Sequence, residues 1–168
     1  MIGRTLVLVA GFGGAVGFSQ FPEFSQQYTQ RLGGTVDELQ RVVAEFDADA
    51  AKLNLSRDEA IDQLSQGGAF GAARAESMNA NFQRLSELSA DLNALQGAGP
   101  FTRASLLPHL TDPVLMERTW DSYKPAVPVT FEGGTFAALG FGLGAFALAI
   151  LNGFSRRIGR LFRRPRHA

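Results

Sequence analysis

Carboxylates gather at three places in this chain, at Asp37/Glu38, at Glu45/Asp47/Asp49 and at Asp58/Glu59/Asp62. Paired carboxylates can divide acid and base roles in glycoside hydrolysis, and several oxygens together can hold calcium. Neither pattern is complete here. Asp58-Glu59-Ala60-Ile61-Asp62 lacks the alternating oxygen ligands and the glycine of a calcium loop. These acids read as solvated helix faces and helix starts. His109, in Pro108-His109-Leu110, and His167 are the two histidines, and neither stands near an acid–serine pairing. No Gly-x-Ser-x-Gly elbow occurs. Gly11-Phe12-Gly13-Gly14 lies inside an apolar run and lacks the lysine of a phosphate loop. The chain has no cysteine, which excludes disulfides, cysteine-based zinc sites and thiol catalysis. The expectation is a protein that is not an enzyme, with no catalytic residues, no metal and no cofactor. An envelope enzyme using the middle acids ranks last among the readings.

Three further groups have chemistry that suits a membrane. Glu132 stands at the start of an apolar run, where a carboxylate serves either an ion path or the dipole of a helix's first turn after Thr130. Trp120 and Tyr123 precede the same run and suit a membrane interface, where amphipathic rings are favoured; Trp120 could equally close a helical core. Arg156, Arg157, Arg160, Arg163, Arg164 and Arg166 follow the run, interleaved with Ile158, Leu161 and Phe162. A basic amphipathic segment beside a membrane is attracted to anionic lipid by about 1 kcal/mol per basic residue. Nucleic acid would need the same charges, but lipid is the nearer partner, so none is expected.

The elements that position these residues follow from hydropathy. Thr5 to Phe18 carries no charge, and from Ile2 to Phe21 the stretch reaches 20 residues, close to the about 20 that span a bilayer. A cleaved signal peptide, with Ala15-Val16-Gly17 as its small-x-small site, competes with a retained anchor. Thr135 to Leu151 is the stronger span, and the arginines behind it form a stop-transfer flank. Positive charge near membrane ends faces the cytoplasm. Both termini are therefore expected in the cytoplasm, with the middle domain periplasmic. Gly13 and Gly17 form one small-xxx-small pair and Gly140 and Gly144 another. Such pairs let helices approach closely in lipid, within the chain or toward a partner.

Between the spans, residues Pro22 to Val127 hold 15 acids and 9 bases, a net charge of −6. Phe24, Tyr28, Leu32, Val36, Leu39, Val43, Phe46, Ala50 and Leu53 recur every three or four residues. This heptad-like stripe predicts one long helix of coiled-coil character, opened by Pro22, bent or closely packed at Gly33-Gly34 and ended at Asn54. Ser56-Arg57-Asp58-Glu59 is a capping box that opens a short helix to about Leu64. A second long helix from about Ala72 presents Met78, Phe82, Leu85, Leu88, Leu92 and Leu95 and stops at Gly97. Pro100 opens a short helix through Leu107, which Pro108 stops, and Asp112-Pro113 starts the last helix, to Tyr123. The fold class is all-α: two transmembrane helices flanking an extramembrane antiparallel hairpin with short accessory helices. The expected segments are 1–21 and 129–154 as spans, 22–128 as the middle domain and 155–168 as the basic tail.

Gln20-Phe21-Pro22-Glu23-Phe24, Gln27-Tyr28 and Arg31-Leu32 resemble the post-anchor segment of a bacterial family, domain of unknown function 2937. The similarity resumes at Leu95-Gln96-Gly97, at Trp120-Asp121-Ser122-Tyr123 and at Val127-Pro128-Val129-Thr130. The resemblance implies a proteobacterial membrane protein and supplies no catalytic residues. The function expected is that of a scaffold or accessory subunit, working through helix–helix contacts with a protein partner or with copies of itself. A homo-oligomeric channel or transport component, with Glu132 near its mouth, is the alternative.

Overall fold

The computed structural model describes residues 2–125 and 130–162, which contain helices and turns and no strand. In chain order the helices are α1 (Ile2–Ser19), α2 (Phe21–Lys52), α3 (Arg57–Ser65), α4 (Gly68–Leu95), α5 (Pro100–Ser105), α6 (Pro113–Ser122) and α7 (Phe131–Phe162). A 3-10 turn at Leu107–His109 joins α5 to α6. Backbone proximity divides the chain into two units: the residues up to Phe24 together with those from Lys124, and Ser25–Tyr123.

In the first unit α1 packs on α7. Phe12 meets Phe141 edge to face with ring centroids 5.4 Å apart, and Phe21 lies 5.3 Å from Phe136. Ala10 stands opposite Gly144 and Gly14 opposite Gly140. As numbers rise along α1 they fall along α7, so the pair is antiparallel. Gly3–Lys52 contains one window, and Phe131–Gly153 another, long and apolar enough to cross a membrane by length and composition. Away from the seam α1 exposes Val9 and Val16, and α7 exposes Leu139, Leu143 and Phe146. Water would penalise so much apolar surface; lipid does not.

In the second unit the stripe on α2 is buried at Tyr28, Leu32, Val36, Val43 and Ala50, whereas Leu53 is exposed. The α4 face buries Met78, Leu88 and Leu95. That helix begins four residues earlier than the periodicity implies, at Gly68, because Gly71 and Ala75 extend its buried face. Gly71 is needed there for close approach: a Cβ on it would stand 2.4 Å from the Leu64 carbonyl oxygen of α3. Phe46 of α2 meets Phe82 of α4 at 5.6 Å, and the Arg57 guanidinium lies 4.6 Å over the same Phe82 ring.

The helix ends follow their local chemistry. Asn54 has φ +57°, and the N–H groups of Leu55 and Asn54 bond the carbonyls of Ala50 and Ala51. This is a Schellman closure with asparagine in the left-handed position usually given to glycine. Ser56 and Glu59 form the capping box at the start of α3. At Gly33-Gly34, where a bend or a close contact was expected, α2 runs on as helix through both. A Cβ at Gly33 would meet Leu92 Cδ1 at an ordinary 3.9 Å and one at Gly34 would meet nothing, so no close contact required glycine there. Burial of Leu32 and Val36 on either side holds the helix against a propensity cost of about 1 kcal/mol per glycine. Pro108 does not stop α5, which ends at Ser105; the proline lies within the 3-10 turn.

Candidate functional site

The α1–α7 seam is built from the smallest side chains. A Cβ on Gly14 would stand 2.2 Å from the Gly140 carbonyl oxygen, and one on Gly140 would stand 2.2 Å from the Gly14 carbonyl oxygen. A Cβ on Gly144 would meet the Ala10 carbonyl oxygen at 2.3 Å. Two backbones so close admit only glycine at the crossing. Gly140 and Gly144 thus lie in the seam, as their spacing suggested. Gly13 and Gly17 do not, since a Cβ on either would meet nothing within 4 Å. Their partners' places are taken by Ala10 and Gly14, and Gly11 faces the Phe141 ring. The reason is rotational: one step along a helix turns the side-chain direction by about 100°, which puts Gly13 and Gly17 on the exposed side with Val9 and Val16. Ala10/Gly14 is itself a small-xxx-small pair, so spacing alone could not choose between the overlapping registers.

At the start of α7 the Thr130 Oγ1 accepts a hydrogen bond from the Gly133 N–H at 3.1 Å, so Thr130 caps the helix. Glu132 is in the first turn of α7, where negative charge suits the helix dipole. Within the second unit Trp120 is 70% exposed and stacks on Tyr123 with ring centroids 6.5 Å apart. The core beside it is closed by Leu115 and Thr119 instead, which removes the reading of Trp120 as the bolt of the helical domain. Arg156, Arg157 and Arg160 fall on the backbone of α7. Arg163, Arg164 and Arg166 lie outside the described residues, as does Val127-Pro128-Val129.

Sequence reasoning missed the polar cluster inside the second unit. Arg103, only 9% exposed, donates to the Ala98 carbonyl at 2.8 Å, to Ser25 Oγ at 3.3 Å and to Gln26 Oε1 at 3.1 Å. Burial pulls its guanidinium pKa down. Asp112 caps α6 by accepting from the Leu115 N–H at 2.8 Å. Its carboxylate pairs with Arg84 at 2.9 Å, and its own N–H donates to Tyr28 Oη at 3.1 Å. Burial raises the Tyr28 phenol. Burial also works to raise Asp112, but the bonds from Leu115, Arg84 and Val114 hold its carboxyl below the usual aspartate range. His109 Nδ1 lies 2.8 Å from Asp91 Oδ1, so His109 has an acidic partner 18 residues upstream that no local motif announces. Among the described residues no buried side-chain nitrogen or oxygen lacks a partner, and no three His, Asp or Glu side chains gather as a metal site. The cluster binds helices to one another.

A groove of about 450 Å³ opens where the end of α2, α3 and the start of α4 meet. Phe46, Leu53, Leu55, Leu64, Phe70 and Gly71 line it, with Asp49 at its edge. Leu53 is 68% and Phe70 79% exposed. Residues 37–62 around it carry eight acids against three bases. Asp47 is paired with Arg57 at 2.6 Å and Asp49 with Lys52 at 2.7 Å. Such exposed pairs contribute little to stability, yet the surface keeps a negative balance.

A family model described as "Protein of unknown function (DUF2937)" matches residues 2–164. No curated protein and no solved structure matches the chain.

Proposed function

We propose, on the premise that this chain belongs to the DUF2937 family, that it is a bacterial inner-membrane accessory protein that binds another protein and carries out no reaction of its own. Its α1–α7 pair is the membrane anchor, both termini are cytoplasmic, and Ser25–Tyr123 is periplasmic. The two long helices of that domain form an antiparallel hairpin, a reading supported by Phe46 against Phe82 near one end of α2 and by Leu92 beside Gly33 further back.

The exposed apolar groove with Leu53 and Phe70 at its rim carries this reading. A water-facing domain rarely leaves large apolar side chains so open unless something covers them. The acidic surround selects a partner segment with an apolar anchor flanked by basic residues, because opposite charge steers encounter and like charge repels. It also disfavours a second copy docking groove to groove. Glu132 needs no pore to explain it, since Thr130 and the helix dipole account for an acid at that position.

The test is gentle solubilisation and purification of the tagged full chain beside a Leu53→Ser/Phe70→Ser variant. A defined companion should accompany the parent chain and fall at least about tenfold in the variant, the loss of roughly 1.4 kcal/mol or more at a central apolar anchor. An unchanged companion would sink the groove as the docking site. A pure homo-oligomer in both would favour the channel reading.

A further inference from the structure

A second groove, about 510 Å³, lies in the first unit between the beginning of α1 and the later turns of α7. Gly3, Arg4, Val7 and Leu8 form one wall and Ala149, Asn152 and Gly153 the other. The antiparallel seam tightens at Gly14/Gly140 and Ala10/Gly144. At the groove a Cβ on Gly153 would meet nothing within 4 Å, unlike those on Gly140 and Gly144. The groove's apolar lining comes from Val7, Leu8 and Ala149, and Arg4 and Asn152 add a cation and an amide. Along α7, Ala149, Asn152 and Gly153 are followed at helical spacing by Arg156, Arg157 and Arg160.

We propose that this groove holds one anionic phospholipid of the cytoplasmic leaflet. An acyl chain lies along Val7, Leu8 and Ala149, and the phosphate is held by Arg4 with Asn152. The inference rests on the reading of α1 and α7 as a membrane anchor with cytoplasmic termini. Charge and shape both point to this occupant. A protein side chain would fill an apolar cleft but would not call for a cation there, and free phosphate would use the cation but not the apolar lining. A basic pocket between membrane helices on the cytoplasmic side is the kind of site that retains a lipid headgroup. The bound lipid would bridge the two helices, continuing the seam that glycine begins.

Native mass spectrometry of the full chain tests this, after exchange into mild detergent with equal amounts of phosphatidylglycerol and phosphatidylcholine of matched chains. The parent chain should retain a single phosphatidylglycerol in preference to phosphatidylcholine. Arg4→Gln should lower that retention about fivefold, the equivalent of one basic contact at a membrane surface. Ala149→Phe, which crowds the apolar lining and leaves the charge, should lower retention of both lipids. Equal retention of the two lipids by the parent, or retention unchanged in both variants, would overturn the site. Displacement of the lipid by millimolar inorganic phosphate would overturn the acyl-chain contribution and assign the cation to a soluble anion. Alkaline washing of the membranes is the separate control. A parent chain that stays in the membrane while failing the lipid arms refutes the site alone. A chain released by alkali refutes the anchor, and the site with it.

Discussion

Gly140→Leu should cost about 2–3 kcal/mol or more in detergent, whereas Gly13→Leu and Gly17→Leu should stay within about 0.5 kcal/mol. The difference comes from what each new side chain meets. At Gly140 the first added atom would be 2.2 Å from the Gly14 carbonyl oxygen and 2.7 Å from Phe18 Cβ. Neither obstacle can rotate away, so the helices must part. Replacing glycine also removes an entropic penalty of about 1 kcal/mol, which offsets part of the clash and leaves the two outward variants neutral or better. Gly14→Leu should match Gly140→Leu, because each glycine's Cβ position is blocked by the other's carbonyl. Unfolding by rising dodecyl sulfate fraction, followed by circular dichroism, measures all four. Equal losses at Gly13 and Gly140 would show that α1 meets α7 through a different face.

Much of this architecture was legible in the sequence, because the physics involved is local. The two apolar stretches, the Ser56 box, the Asp112-Pro113 start and the helix end at Asn54 depend on residues within a few positions of one another. The buried stripe of α2 could be read for the same reason, since a helix face repeats every three or four residues. What escaped depends on rotation or on distance along the chain. The choice of Gly14 over Gly13 rests on a turn of about 100°, and overlapping small-residue pairs on α1 fit the spacing equally well. Arg103 looks like any other surface arginine until α5 sets it beside Ser25 and Gln26 of α2. The pairing of His109 with Asp91 crosses the connection between α4 and the 3-10 turn. Gly33-Gly34 suggested a close contact that the packing does not make, since a Cβ on either would have room. The apolar groove was also hidden, since Leu53 belongs to the α2 stripe and Phe70 precedes the expected start of α4, and they share a surface only where three helix ends meet.

Asp112 is the polar residue whose loss should cost the second unit most, because one residue joins three elements. Its carboxylate caps α6 and pairs with Arg84 of α4, and its N–H reaches Tyr28 of α2. Asp112→Ala removes the cap, at about 1 kcal/mol, and the ion pair with Arg84, whose exposed guanidinium can turn to water, at up to about 1 kcal/mol more. The side chain is 9% exposed while that of Arg84 is 37% exposed. Arg84→Ala leaves that shielded carboxylate without its cation and should cost about 1 kcal/mol or more, limited by the bonds from Leu115 and Val114 that it keeps. Asp112→Asn separates the contributions: asparagine caps as well as aspartate but carries no charge. It should fall between the parent and the alanine variant at neutral pH. The acid limb distinguishes it further. The folded-state carboxyl of Asp112 is held below its ordinary value, so its contribution is complete above about pH 4 and drains away as pH falls through the lowered value. The parent should lose stability over that window, and Asp112→Asn should lose less. Guanidinium unfolding of the full chain at pH 7 and at pH 3 provides the comparison. Its fluorescence reporter is Trp120, the single tryptophan, which sits on α6, the helix that Asp112 caps. If the asparagine and alanine variants were equally weak and shared the parent's pH profile, the ionic part of this junction would be worth nothing, and the cap alone would hold α6 in place.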